Sequence, residues 1–115
     1  MARRTALDMT LAEVFPALIA KAERKGRSSL EVYACTTWLL GYSESDINRM
    51  LEDGTGFRAF LEGATLCPDV NKVTGSVCGV KIDEIEDATT KTMRRLDKLI
   101  DELAKGKPLE KILSR

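Results

Sequence analysis

The sequence predicts an all-α or mainly α fold, a small bundle of about five helices with one irregular segment over residues 65–82. Three observations carry that expectation. Apolar residues recur at three- and four-residue steps, most clearly Met93, Leu96, Leu99, Ile100 and Leu103, as the buried stripe of a helix requires. Thr10, Ser28, Ser43 or Ser45, and Asp87 stand in front of four such stripes, where a helix needs acceptors for its first free amides. Glycines follow at 26, 41, 54 and 106, the residue type that ends a helix most readily.

Thr10-Leu11-Ala12-Glu13 reads as a capping box. Leu11, Val14, Phe15, Leu18, Ile19 and Ala22 then predict a helix to about Lys25, stopped by Gly26. Pro16 lies inside it, removes one backbone donor, and is expected to kink the helix or tighten its first turn. Ser28-Ser29-Leu30-Glu31 repeats the box and opens a second helix of about 29–40. Its core face is read as Leu30, Tyr33, Ala34, Trp38 and part of Cys35, and the short connection makes the first two helices antiparallel neighbours. Ser43 or Ser45 caps a third helix of about 44–53 with Ile47, Met50 and Leu51 inward. Phe57, Phe60 and Leu61 mark a short fourth to about Ala64.

Between 65 and 82 the pattern changes. Pro68, Asn71, Gly75 and Gly79 alternate with Val70, Val73, Val77, Val80 and Ile82, which predicts two short extended pieces or a loose turn. Asp87 caps a long helix of about 88–105, with Asp101 and Lys105 as an i,i+4 pair. Gly106 stops it, and Pro108 suits the first position of a final short helix carrying Leu109, Ile112 and Leu113.

The 115 residues suit one domain, 1–115. With 43% hydrophobic and 31% charged residues, the chain has the apolar surface to fold without staples. Lysine plus arginine equals aspartate plus glutamate at 18 each, and residues 1–50, 51–82 and 83–115 each lie within one charge of neutrality. That balance disfavours a dedicated nucleic-acid or membrane-surface binder. Cys35, Cys67 and Cys78 are an odd number without CxxC spacing, which fits reduced thiols. No apolar run approaches a membrane span. Met1-Ala2-Arg3-Arg4 is followed by Asp8 and an amphipathic stretch in place of an apolar signal core. A cytoplasmic location is expected. The chain has no histidine, which excludes Ser-His-Asp and Cys-His chemistry and removes the side chain most used for proton transfer near neutral pH.

Two clusters remain as candidate sites. Lys21, Arg24, Lys25 and Arg27 gather at the end of the first helix and could bind an anion or a phosphate backbone. Cations near a helix C-terminus also complement its dipole, which is the plainer reading. Cys78 lies beside Gly79 in the glycine-rich segment, with Lys81 and the carboxylates of Asp83 and Glu84 close in sequence. A flexible loop with a nearby cation can lower a thiol pKa and bind a ligand; the plainer reading is a buried, inert thiol. Ile82-Asp83-Glu84-Ile85-Glu86-Asp87 places four carboxylates in six residues. EF-hand alternation is missing, and acids ahead of a helix meet its positive end. No metal site is expected, and no nucleotide loop calls for a cofactor.

Several pieces also occur in a recognisable order: Lys21 to Arg27, Trp38-Leu39-Leu40-Gly41-Tyr42, Val77-Cys78-Gly79, Ile85-Glu86-Asp87, Leu96 to Lys107, and Glu110-Lys111-Ile112-Leu113. Together they resemble the bacterial domain-of-unknown-function family 2200. Ala88 stands where that pattern leads one to expect proline, and Cys67 where it leads one to expect asparagine. The resemblance implies a small, helical, cytoplasmic bacterial protein and carries over no activity.

The function expected from these readings is a non-catalytic binding or protein-interaction module, whose partner is another protein or a second copy of the chain. The alternative is a small ligand-binding protein or enzyme that uses the 65–82 loop. Weak nucleic-acid binding through residues 21–27 stands third.

Overall fold

Each helix starts where the sequence supplies a cap. The computed structural model describes residues 6–77 and 79–114, so Cys78 lies outside the described residues. Among these are six α-helices: α1 Leu11–Glu23, α2 Ser29–Leu40, α3 Glu44–Asp53, α4 Phe57–Glu62, α5 Ala88–Ala104 and α6 Leu109–Ile112. Thr10 and Glu13 form a reciprocal capping box, as do Ser28 with Glu31 and Ser43 with Asp46. Each box satisfies two amides that the helix itself leaves free. Asp87 accepts from the Thr90 amide at 2.8 Å, so α5 starts on its carboxylate with Ala88 behind it. Pro108 is the residue in front of α6, one position earlier than its expected place. The helix α1 runs unbroken through Pro16, which is exposed.

The long helix α5 is the organiser. Thr92, Met93, Arg95, Leu96, Leu99, Ile100 and Leu103 are its buried residues. It packs on α1, α2, α4 and α6. The buried apolar side chains of those helices and of Val73 join it in one cluster, with Phe15, Phe57 and Phe60 among the largest. The start of α1 is stitched to the start of α4: the Leu11 amide donates to the Thr55 carbonyl at 2.8 Å, and the Phe57 amide donates to that of Met9 at 2.9 Å.

The face of α2 corrects the expectation. Val32, Cys35, Thr36, Leu39 and Leu40 are buried, Leu30 is 68% exposed, and Tyr33, Ala34 and Trp38 are half-buried. Apolar residues surround this helix almost completely, so periodicity does not select one face. The half-buried aromatics still serve the core. Tyr33 meets Phe15 edge-on at 5.1 Å and donates from its hydroxyl to Asn48 Oδ1 at 2.7 Å. Tyr42 stacks on Phe60 at 4.8 Å and donates to the Phe60 carbonyl at 2.8 Å. Such pairing of an apolar ring with a satisfied polar tip is how tyrosine sits at the edge of a core.

The segment 65–82 is irregular, with two short extended pieces. Amides of Thr65 and Cys67 donate to the carbonyls of Leu40 and Leu39 at 3.0 and 3.1 Å, which occupies acceptors that the end of α2 leaves open. A 3-10 turn follows at Val70–Lys72, then strands β1 Ser76–Val77 and β2 Val80–Lys81, antiparallel with Ser76 opposite Lys81, then a 3-10 turn at Ile82–Glu84. Val77 and Ile82 are buried, and both β1 and the 82–84 turn pack on α5.

Leu96→Ala is expected to lower the unfolding free energy by about 2–5 kcal/mol, through lost transfer energy and a residual cavity. Leu30→Ala should change it by no more than about 0.5 kcal/mol. Urea melts of both variants check the pair, and a small loss at Leu96 would contradict the packing described.

Candidate functional site

The hairpin and the turn after it make a concave surface. The Ile82 amide donates to the Gly75 carbonyl at 2.9 Å, which closes the chain on itself around β1 and β2. From α5, the Lys98 ammonium donates to the Ser76 carbonyl at 3.3 Å. Buried Val77 and Ile82 anchor the inner side. The outer side is a groove of about 350 Å³ lined by Gly75, Ser76, Lys81, Asp83 and Glu84. Three of the four sequence candidates of this segment, Lys81, Asp83 and Glu84, therefore come together. Ser76 and Gly75 are added by the pairing register, which sets Ser76 opposite Lys81.

All five lining residues are exposed. Carboxylates in contact with water gain little from the low-dielectric, preorganised setting that makes electrostatic catalysis strong. Charges of both signs around an open groove can still orient a polar ligand. The other acids of the run separate from this pair. Asp87 is committed to Thr90, accepting from its amide and, at 2.6 Å, from its hydroxyl. These bonds, the hydroxyl first, hold the Asp87 carboxyl below the ordinary range.

The basic cluster divides in two. Lys21, Arg24 and Lys25 line a groove of about 610 Å³ at the end of α1. Arg27 turns away from them. Gly26, at φ 80°, lets the chain reverse, with the Arg27 amide donating to the Ala22 carbonyl at 3.0 Å. The Arg27 guanidinium then grips Glu31 through both Nε and Nη2, with Nε at 3.2 and 3.1 Å from the two carboxylate oxygens. Its Nη1 donates to the carbonyls of Leu103 at 3.1 Å and Lys107 at 2.8 Å. Arg27 thus clamps the α1–α2 turn onto the end of α5. The spacing of Arg27 and Glu31 is the i,i+4 signal of such a pair, whereas the two distant carbonyls leave no trace in the sequence. The Arg27 side chain, together with the Ser28 amide, pushes the Glu31 carboxyl down to about 2.

Beside the α1 groove, Lys21 faces Asp101 at 3.6 Å, and Asp101 also pairs with Lys105 at 3.0 Å. Asp97, one turn earlier on α5, has its carboxyl raised by burial, against the opposing pull of Arg94 and Lys21. A further groove of about 300 Å³ lies between Leu61, Leu66 and the first turn of α5, bridged by the Thr89 hydroxyl donating to Glu62 at 3.3 Å. Of the described cysteines, Cys35 is buried and Cys67 half-buried. No helix among the described residues is long and apolar enough to cross a membrane.

Residues 5–114 match the family described as an uncharacterized protein conserved in bacteria (DUF2200). Comparison with curated proteins finds no match. Among solved structures, the crystal structure of uncharacterized protein SP1917 is similar, with 41% identity and a TM-score of 0.91 over 97% of this chain and 93% of that one.

Glu31 titrates at about 2 in the folded chain against an ordinary value of 4.5, so the unfolded state binds more protons between those values. The stability that its ionised form contributes is full above the ordinary value and disappears as pH falls through about 2. Glu31→Gln should therefore cost about 1–2 kcal/mol near neutral pH, after screening by water. The gap between wild type and variant should shrink from about pH 5 to about pH 2. Urea melts across that range check it; a gap independent of pH contradicts the clamp.

Proposed function

The chain belongs to the DUF2200 family of bacterial proteins, and we propose that it is a small, non-catalytic binding module whose ligand sits in the hairpin groove. The observation that carries this reading is the convergence of Lys81, Asp83 and Glu84 around Gly75 and Ser76 in one concavity. Its volume falls in the range of small-molecule sites, and its openness to water suits reversible recognition rather than chemistry. The ligand is a small polar molecule bearing both signs of charge: Lys81 meets its anionic group, while Asp83 and Glu84 meet its cationic one. Buried Val77 and Ile82 and the Lys98 bond attach the groove to the body of the fold. We place the module in the cytoplasm, a compartment that keeps thiols such as Cys35 and Cys67 reduced.

Titration of the isotope-labelled chain with free amino acids, dipeptides and polyamines, followed by amide chemical shifts, tests the proposal. Saturable shifts confined to residues 75–84 are expected for at least one of these probes, and their loss is expected in the double variant Asp83→Ala/Glu84→Ala. Shifts scattered over the surface with every probe, or shifts unchanged in the variant, contradict it.

A further inference from the structure

We propose that the groove at the C-terminal end of α1 binds a small multivalent anion of the phosphate class through Lys21, Arg24 and Lys25. It is the largest of the three grooves described above, and among the described residues only these three cations line it. Helix termination accounts for some positive charge at this place but not for this much. The end of a helix carries roughly half a negative charge, and three full positive charges face it.

Nearby carboxylates do not cancel the excess. Asp101 lies closer to Lys105, at 3.0 Å, than to Lys21, at 3.6 Å, so one carboxylate is shared between two ammonium groups. Asp97 also faces Lys21, with Arg94 at 3.6 Å from its carboxylate. Glu23 is two positions from Lys21, about 200° round the helix, and lies on the opposite side. Arg24 bonds the Ala20 carbonyl through Nε alone, at 3.3 Å, which leaves the outer edge of its guanidinium for a ligand. Arg27 takes no part, being held by Glu31 and the end of α5.

The number and placement of charges select the ligand. A single exposed ion pair is worth about 0–1 kcal/mol, so a monovalent carboxylate that meets one cation is not retained. An anion with several charged oxygens meets all three together, and the planar guanidinium suits phosphate oxygens. An extended nucleic acid is the poorer fit. The three cations lie within little more than one helical turn, about 5.4 Å, and a chain with 18 charges of each sign offers no long positive track.

Calorimetric titration with inorganic tripolyphosphate, orthophosphate and a short DNA duplex, each at about 20 mM and about 200 mM salt, tests this assignment. Tripolyphosphate is expected to bind at low salt, more tightly than orthophosphate or the duplex, and to shift amides of residues 20–27. Binding should weaken with salt, and by about tenfold or more in Arg24→Ala/Lys25→Ala. Both side chains are exposed, so the urea midpoint of that variant should match wild type. Unchanged affinity in the variant, or shifts spread over the surface, would overturn the proposal. Tighter binding of the duplex than of tripolyphosphate would overturn it in favour of a nucleic-acid surface.

Discussion

The buried face of α5 is the constraint on which the rest depends. Met93, Leu96, Leu99, Ile100 and Leu103 present a continuous apolar stripe, and α1, α2, α4, α6, β1 and the 82–84 turn all pack on the helix that carries it. Burying a side chain of this kind is worth roughly 1.5–3 kcal/mol, more than any surface ion pair in the molecule can supply. Caps and clamps then decide where the helices begin, end and meet, at smaller free energies.

The hairpin groove depends on that helix for its place. The hairpin stays in place because Val77 and Ile82 are buried and because Lys98, on α5, donates to the Ser76 carbonyl. Beside the α1 groove, Lys21 reaches Asp101 of α5 at 3.6 Å. The chain reversals at Gly26 and Gly106, at φ 80° and 96°, bring the α1–α2 turn and the end of α5 within reach of one arginine. One cation of the basic run is thereby committed to architecture, and the other three line the groove at the end of α1. In the sequence only the i,i+4 spacing to Glu31 sets Arg27 apart, and the carbonyls that hold it are close in space alone.

Much of this architecture is legible in the residues. Cap residues at Thr10, Ser28 and Asp87 and the stripe of α5 have local, short-range causes, so spacing alone reveals them, whereas the choice of Ser43 over Ser45 comes from the structure. The face of α2 is not legible, because Leu30, Tyr33, Ala34 and Trp38 compete with Val32, Cys35 and Leu39 and only tertiary packing chooses. The candidate sites show the same division. Lys81, Asp83 and Glu84 are close in sequence and meet in one groove, whereas Ser76 joins them only through strand register. Arg27 leaves its neighbours because of carbonyls 76 and 80 residues away. The match to family 2200 over residues 5–114 carries membership without chemistry.

Native-state hydrogen exchange addresses the role of α5 most directly. If this helix holds the other elements together, its amides from Met93 to Leu103 exchange only when the whole chain unfolds, with the denaturant dependence of global unfolding. Exchange of those amides through a smaller, local opening, while α1 and α2 stay protected, would show that the bundle stands without α5 and contradict the account.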